Sequence, residues 1–407
     1  MNPDVVVVGG GAVGLSCARE LARAGAAVTV LERDRELAAG CSSGNAGLVC
    51  PSHAAPLATR SSLLLGLRSL RSREGPLAIS PRPQLVPWLL RFAAATAPAT
   101  ERRGTTAIRS LSVASLDLHR QLHDELDTGL APRGTLNVFE TEEGFTTGAH
   151  EAAAHAAAGI RSETLTAGEA RELEPSLSAP LTGAIYYPGD LSGDPAAFVR
   201  ALGAAAEAAG AAIELGAEAK LSRAAGRIAV ETRDRRLEPK TVVAAAGAWT
   251  PKLGLRVPVE AGKGYHLDYE AGPADPRVPV YVYESRVVAT ALPGRLRLTG
   301  VLALSGLDLS LDERRLSAIE RVGTRHVSGF AGRRRLEAWS GLRPCSPDGL
   351  PIIGRAPGYD DVVVATGHGM LGFTLAPVTG RIVAQLVTGA EPQLDLTPFE
   401  PGRFSRR

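Results

Sequence analysis

Four valines in a row, Val5–Val8, stop abruptly at Gly9-Gly10-Gly11. A short unbroken β-branched run reads as a strand buried on both faces, as in a parallel sheet. Residues 12–24 then carry helical spacing, and Gly25 fits a stop after a helix C-terminus. Ala27-Val28-Thr29-Val30-Leu31 predicts a second strand. Strand, glycine turn, helix and strand open a βαβ unit and predict the α/β class. From about residue 63 to 97, Arg and Pro interrupt the apolar stretches, and helices are predicted to follow through Leu126. Strands are predicted over 134–140 and 184–187, with a short helix over 169–173 between them. Asp194 is placed to cap an Ala-rich helix over 195–209. Strands over 211–215 and 240–245 follow, the second running into Ala246-Gly247-Ala248-Trp249. Alternation from Val257 to Leu304 predicts an antiparallel sheet. Val362-Val363-Val364-Ala365, Gly367-His368-Gly369 and a helix to about Leu386 repeat the strand–glycine–helix pattern.

A chain of 407 residues is long for one core and predicts two domains. Lys+Arg 45 against Asp+Glu 43 leaves a net charge of +2, so no basic field points to nucleic acid. Cys17, Cys41, Cys50 and Cys345 form no C-x-x-C pair. They predict neither a disulfide framework nor a metal site, and they fit a reducing cytoplasm. No secretory signal and no apolar run near the ~18 residues of a membrane span is read. Arg68, Arg71, Arg73, Arg82 and Arg91 among the leucines of 63–92 read as solvated arginines on substrate-domain helices. Peripheral contact with the inner face of a membrane is the alternative.

The chemistry concentrates at the first turn. Gly9-x-Gly11-x-x-Gly14, with Ala12 and Val13 between the last two glycines, sits between strand and helix. There the glycines allow a tight turn, close backbone approach to a pyrophosphate and close helix–strand packing. Glu32, followed by Arg33, stands at the end of the second strand, where a carboxylate can bond ribose hydroxyls. This predicts a dinucleotide without separating NAD from FAD. The small polar stretch Gly40-Cys41-Ser42-Ser43-Gly44-Asn45-Ala46-Gly47 can add backbone and hydroxyl contacts suited to a flavin.

With these segments, Ala246-Gly247-Ala248-Trp249, Gly341-Leu342-Arg343-Pro344 before Pro347-Asp348-Gly349, and Gly367-His368-Gly369, the chain resembles the FAD-dependent D-amino acid oxidases, glycine oxidases, sarcosine oxidases and D-amino acid dehydrogenases. The run from Asn45 to His53 with Pro56-Leu57-Ala58 is most similar to the dehydrogenase branch, its hydroxyproline-acting relatives included. The resemblance implies a Rossmann-like FAD domain from discontinuous segments (1–58, 193–255, 336–407) and a mixed or antiparallel substrate domain (59–192, 256–335). It implies oxidation of a D-amino acid or cyclic imino acid by hydride transfer from Cα to flavin N5, with electrons passed to a quinone or another acceptor. An O₂-using amine oxidase or tailoring enzyme, and an electron-transferring flavin subunit of a complex, are the alternatives. Cys345 is out of step with the attachment cysteine of the sarcosine oxidase branch, so non-covalent FAD is expected.

Arg343 is expected to grip the substrate carboxylate, since a guanidinium offers a planar, permanently charged fork. Tyr265, in an expected turn opening a strand, is either a second donor or a sheet aromatic. Neighbouring Lys263 reads as a solvated turn lysine. His53 and His368 are candidates for chemical or structural roles, and no general base is assigned. Gly369, Met370, Leu371 and Gly372 are expected to offer amides to the flavin edge.

Overall fold

The computed structural model describes residues 2–69, 77–224, 227–330 and 332–405. Two sheets carry the molecule. The first has six strands in the order Ala212–Leu215, Val28–Glu32, Val5–Val8, Thr241–Ala244, Val362–Thr366, Ile352–Arg355. The first five are parallel and the last is antiparallel. The opening valines divide by parity. Val5 and Val7 face the helices Ala12–Arg23, Pro195–Ala208 and Gly372–Thr388, and Val6 and Val8 face a small three-stranded sheet beginning at Lys220–Ala224. Burial on both faces is why the run has no polar alternation.

The second sheet has nine strands among the described residues, one of which, Leu77–Ile79, branches off the main path by pairing with Arg295–Leu304. The long antiparallel core Arg335–Cys345, Glu260–Glu270, Arg295–Leu304 and Val287–Leu292 continues through Val280–Val282 to Thr135–Phe139, Gly183–Tyr187 and Glu163–Thr166. Two of its features depart from expectation. The strand Arg335–Cys345 crosses the boundary expected at 336 and belongs to this sheet, paired along its length with Glu260–Glu270. The helix Pro98–Glu125, expected in the substrate domain, buries Ile108, Leu111, Leu118 and Leu122 in the core of the nucleotide unit.

The stretch Gly369–Thr388 is long and apolar enough to cross a membrane, with mean hydropathy 1.4, which the sequence reading did not register. Its helix is instead a core element wedged against the first helix. A side chain at Gly380 would meet the Ser16 backbone at 2.6 Å. In the 63–92 segment, Trp88 and Phe92 pack under the large sheet, while Leu64, Val86 and Leu90 are exposed. Arg71 and Arg73 lie outside the described residues, as does the Arg68 side chain. Arg82 is not free in solvent but pairs with Glu260 at 2.6 Å, whereas Arg91 is exposed as expected.

Candidate active site

A cleft of about 560 Å³ runs from Glu32, past the glycine turn, to Arg343 on the large sheet. At its first end the glycines are forced by contact. Gly9 adopts φ +111°, and a Cβ at Gly14 would fall 1.9 Å from the Gly9 carbonyl oxygen. Gly9, Gly11 and Val13 line the cleft, whereas Gly14 and Ala12 serve the packing behind it. Glu32 accepts from the Gly10 amide at 2.6 Å and the Asp34 amide at 2.9 Å. A carboxylate has about four lone-pair sites, so capacity for ribose hydroxyls remains. The Arg33 guanidinium lies 3.6 Å over the Trp249 ring, and both line the cleft with Ala246 and Gly247.

The 40–47 loop is built differently from expectation. Ser42 accepts from the Ala12 amide at 3.1 Å, capping the first helix from outside it. The Ser43 hydroxyl turns back onto the Ala38 and Gly40 carbonyls and does not line the cleft. The Asn45 side chain closes the loop on itself, donating to Ser42 O at 2.6 Å and accepting from Gly47 N at 2.7 Å. The backbone of Gly44 and Asn45 and the Ser42 hydroxyl, which accepts from Ala12 but keeps its own proton, are what the loop offers the cleft. Ala46 packs with Leu48, Cys50 and Val288 behind it. Gly47 fits against Gly193, whose carbonyl a Cβ would meet at 2.1 Å.

At the 366–372 turn, Gly369, Met370 and Gly372 line the cleft, but Gly367 packs on Ile352 and Leu371 is in the core. His368 also lines the cleft, but its side chain is 3% exposed and its Nε2 lies 3.0 Å from the Thr379 hydroxyl of the last helix. Burial holds its pKa down at about 3. The contact with Thr379 gives this imidazole a structural role. An unfolded imidazole binds its proton near pH 6.5 and the folded one only near pH 3. The unfolded state therefore holds more protons between those values, and stability is lost as pH falls through that window. The His368→Gln protein is expected to lose less Tm than wild type between pH 7 and pH 4.5. Equal losses in parallel thermal melts would refute the assignment.

Arg343 stands where it was expected. Paired with Gly262 in the strand register, it shares one face of the sheet with Gly341, Trp339 and Gly264, and all four line the cleft. The guanidinium lies flat on Gly264, where a Cβ would fall 1.9 Å from Nη1, so only glycine gives it room. Nη1 donates to Val301 O at 3.2 Å, a carbonyl set by an uncommon left-handed valine, φ 63°. Among the described residues Arg343 has no carboxylate partner, and burial lowers its pKa. A desolvated guanidinium beside an open cleft is an anion site.

Two neighbours correct the sequence reading. Residues 262–266 lie inside the strand Glu260–Glu270, not in a turn. Alternation therefore puts Lys263 and Tyr265 on the face opposite Arg343. Tyr265 packs in the core with Leu316 and Ile319. Lys263, 3% exposed, holds Asp308 at 2.5 Å and Ser310 O at 2.9 Å, pinning the loop that brings Leu307 to the cleft. His53 lies off this cleft. It is 3.1 Å from Asn137 and its ring centroid is 4.7 Å from that of Tyr281, with a pKa pushed down by burial to about 4. Sequence reasoning missed Gly264 and Trp339 as cleft residues, because only strand pairing brings them under the loop that carries Cys41. Cys345, by contrast, packs with Trp88 and Leu302.

A family model described as FAD dependent oxidoreductase matches residues 4–386. The chain belongs to that family. It is 35% identical over 421 residues to a D-amino acid dehydrogenase of Methylobacterium sp. (strain 4-46), covering 99% of each chain. It is 32% identical to a D-amino acid dehydrogenase of Xanthobacter autotrophicus (strain ATCC BAA-1158 / Py2), covering 98% and 99%. Among solved structures it is similar to glycine oxidase from Geobacillus kaustophilus, at 26% identity, TM-score 0.79 and 99% coverage of both chains. Its fold is also that of L-proline dehydrogenase from P. horikoshii, at 22% identity and TM-score 0.76, over 100% and 98% of the chains. This family member is an oxidoreductase whose cofactor is FAD. Its residues fit that cofactor: the glycine turn admits no Cβ, Glu32 keeps lone pairs in hand, and the cleft is one continuous space from Glu32 to Arg343.

Proposed function

We propose that this chain oxidises a D-amino acid or cyclic imino acid, with Arg343 gripping the substrate carboxylate. The observation that carries the reading is Arg343 itself, a half-buried guanidinium with no carboxylate partner among the described residues, lining the FAD cleft. The names of the relatives at 35% and 32% identity support the D configuration and a dehydrogenase rather than an oxidase. Bound FAD supplies a two-electron acceptor for the hydride leaving Cα. Arg343 orients the substrate for that transfer, converting binding into alignment. Gly264 gives the guanidinium room to lie flat on the sheet, and Gly341 does the same for the Trp339 ring beside it. Neither histidine is assigned as base, since the His368 Nε2 is engaged by Thr379 and His53 lies off the cleft, and the reading takes the amine to bind neutral. The product is an imine, which water converts to a keto acid when it is open-chain. The electron acceptor in this reading is a quinone or similar carrier.

The test is anaerobic bleaching of the flavin by a panel of D-alanine, D-proline, D-hydroxyproline, glycine, sarcosine and L-proline, followed by reoxidation with a quinone analogue or O₂. D-Amino or D-imino acids should bleach the flavin and the quinone analogue should restore it faster than O₂. Bleaching only by glycine, sarcosine or an L-amino acid refutes the substrate reading. Faster recovery with O₂ refutes the acceptor.

A further inference from the structure

Three consecutive carbonyls of the cofactor loop are held from behind by side chains of the large sheet. Arg297 Nη1 donates to Ser43 O at 2.8 Å and to Asn45 O at 3.1 Å. His266 Nδ1 donates to Gly44 O at 3.0 Å. Arg297 is 4% exposed and is itself fixed by Asp268, which takes Nε and Nη2 at 2.8 Å each. Asp268 also lies 3.0 Å from Arg295, which pairs at 3.0 Å with Asp194, the N-cap of the helix Pro195–Ala208. His266 stacks on Trp339, centroids 4.9 Å apart, and that indole presses on Gly44, where a Cβ would fall 2.2 Å from it.

In a trans peptide the C=O of one residue and the N–H of the next point to opposite sides. Clamping the carbonyls of 43, 44 and 45 toward the sheet therefore turns the amides of Gly44, Asn45 and Ala46 the other way. None of those three amides has a hydrogen-bond partner among the described residues, and Gly44 and Asn45 line the cleft. Successive free N–H groups form a concave donor array suited to an electron-rich or anionic group. His266, Asp268 and Glu337 bring ligand atoms within 4.8 Å of one another, as a metal site would. The guanidiniums of Arg297 and Arg295 already neutralise Asp268, so the cluster reads as part of the clamp instead.

We propose that Arg297 and His266 are positioning residues that hold the 43–45 carbonyls and so aim the 44–46 amides at the bound FAD. This inference depends on FAD binding and not on which amino acid is oxidised, so failure of the substrate panel leaves it standing. The experiment titrates apoprotein with FAD, following flavin fluorescence, beside thermal melts of the same apoproteins. Arg297→Met removes two charge-assisted donors and should weaken FAD binding at least about tenfold. Arg297→Lys should recover part of that loss. Asp268→Asn leaves the donors to the loop in place. It should therefore lower Tm as much as Arg297→Met while changing the FAD dissociation constant less than threefold. Should Arg297→Met fail to fold, Arg297→Met/Asp268→Leu removes the buried pair without leaving a lone charge, and the same weakening is expected of it. The proposal is overturned by FAD binding within twofold of wild type in a folded Arg297 variant, or by FAD affinity that follows Tm across the series irrespective of the carbonyl donors.

Discussion

Arg343→Ala should purify yellow, with FAD in place, and lose about 10³-fold in kcat/KM toward D-amino acids. The size follows from the fork. A carboxylate gripped by two charge-assisted bonds gains about 2 kcal/mol from each, and about 1.4 kcal/mol is a decade in rate. The guanidinium makes no ion pair among the described residues and donates one bond, to Val301 O, so its removal strands no partner charge. The flavin is expected to stay because the Glu32 and glycine-turn contacts are made by the other sheet and involve no bond to Arg343. Arg343→Lys should fall between, since an ammonium keeps the charge but not the planar pair of donors. Steady-state kinetics with D-alanine or D-proline, alongside the flavin absorbance spectrum, reads both quantities. An Arg343→Ala protein with wild-type kcat and KM would remove the carboxylate from this arginine. A colourless one would show that Arg343 supports the cofactor as well.

The second large effect is expected at Gly14. A methyl there would sit 1.9 Å from the Gly9 carbonyl oxygen and 3.4 Å from Ala245 Cβ. Neither neighbour is the loose end of a flexible side chain, so the helix must back away from the strand. Overpacking of this kind costs about 1–3 kcal/mol of stability. The larger consequence falls on the cofactor, because the same movement opens the turn that approaches the pyrophosphate. Gly14→Ala should therefore purify with sub-stoichiometric FAD and a lowered Tm. Gly402→Ala, where a Cβ meets nothing within 4 Å, should change neither. Full flavin content and an unchanged Tm in Gly14→Ala would mean that the turn tolerates the displacement.

The first turn was legible because its signals are local. Val5–Val8, the glycines and Glu32 lie within one βαβ unit, and steric limits on backbone and spacing act over a few residues. Ser43 was misjudged for a related reason. A short hydroxyl side chain competes for nearby backbone carbonyls, and the Ala38 and Gly40 carbonyls were closer than any ligand. Lys263 and Tyr265 were misplaced because Gly262 and Gly264 read as turn residues, whereas they are the gaps in a strand that admit Cys345 and Arg343. His368 was read from its flanking glycines, of which Gly369 lines the cleft, but its ring nitrogen is met by Thr379 about two turns into the next helix.

What the sequence alone determined is the element order, the α/β class, the glycine turn and the arginine at 343, all of them properties of contiguous residues. Tertiary structure decided which face each strand residue occupies. The side-chain period of a strand is two, so the choice between Arg343 and Tyr265 for the cleft depended on the register that pairs Gly262 with Arg343. It also decided that Arg297, more than 250 positions from Ser43 in the chain, would hold that residue's carbonyl. A contact of that separation has no local signature, because it exists only after two sheets have folded and met.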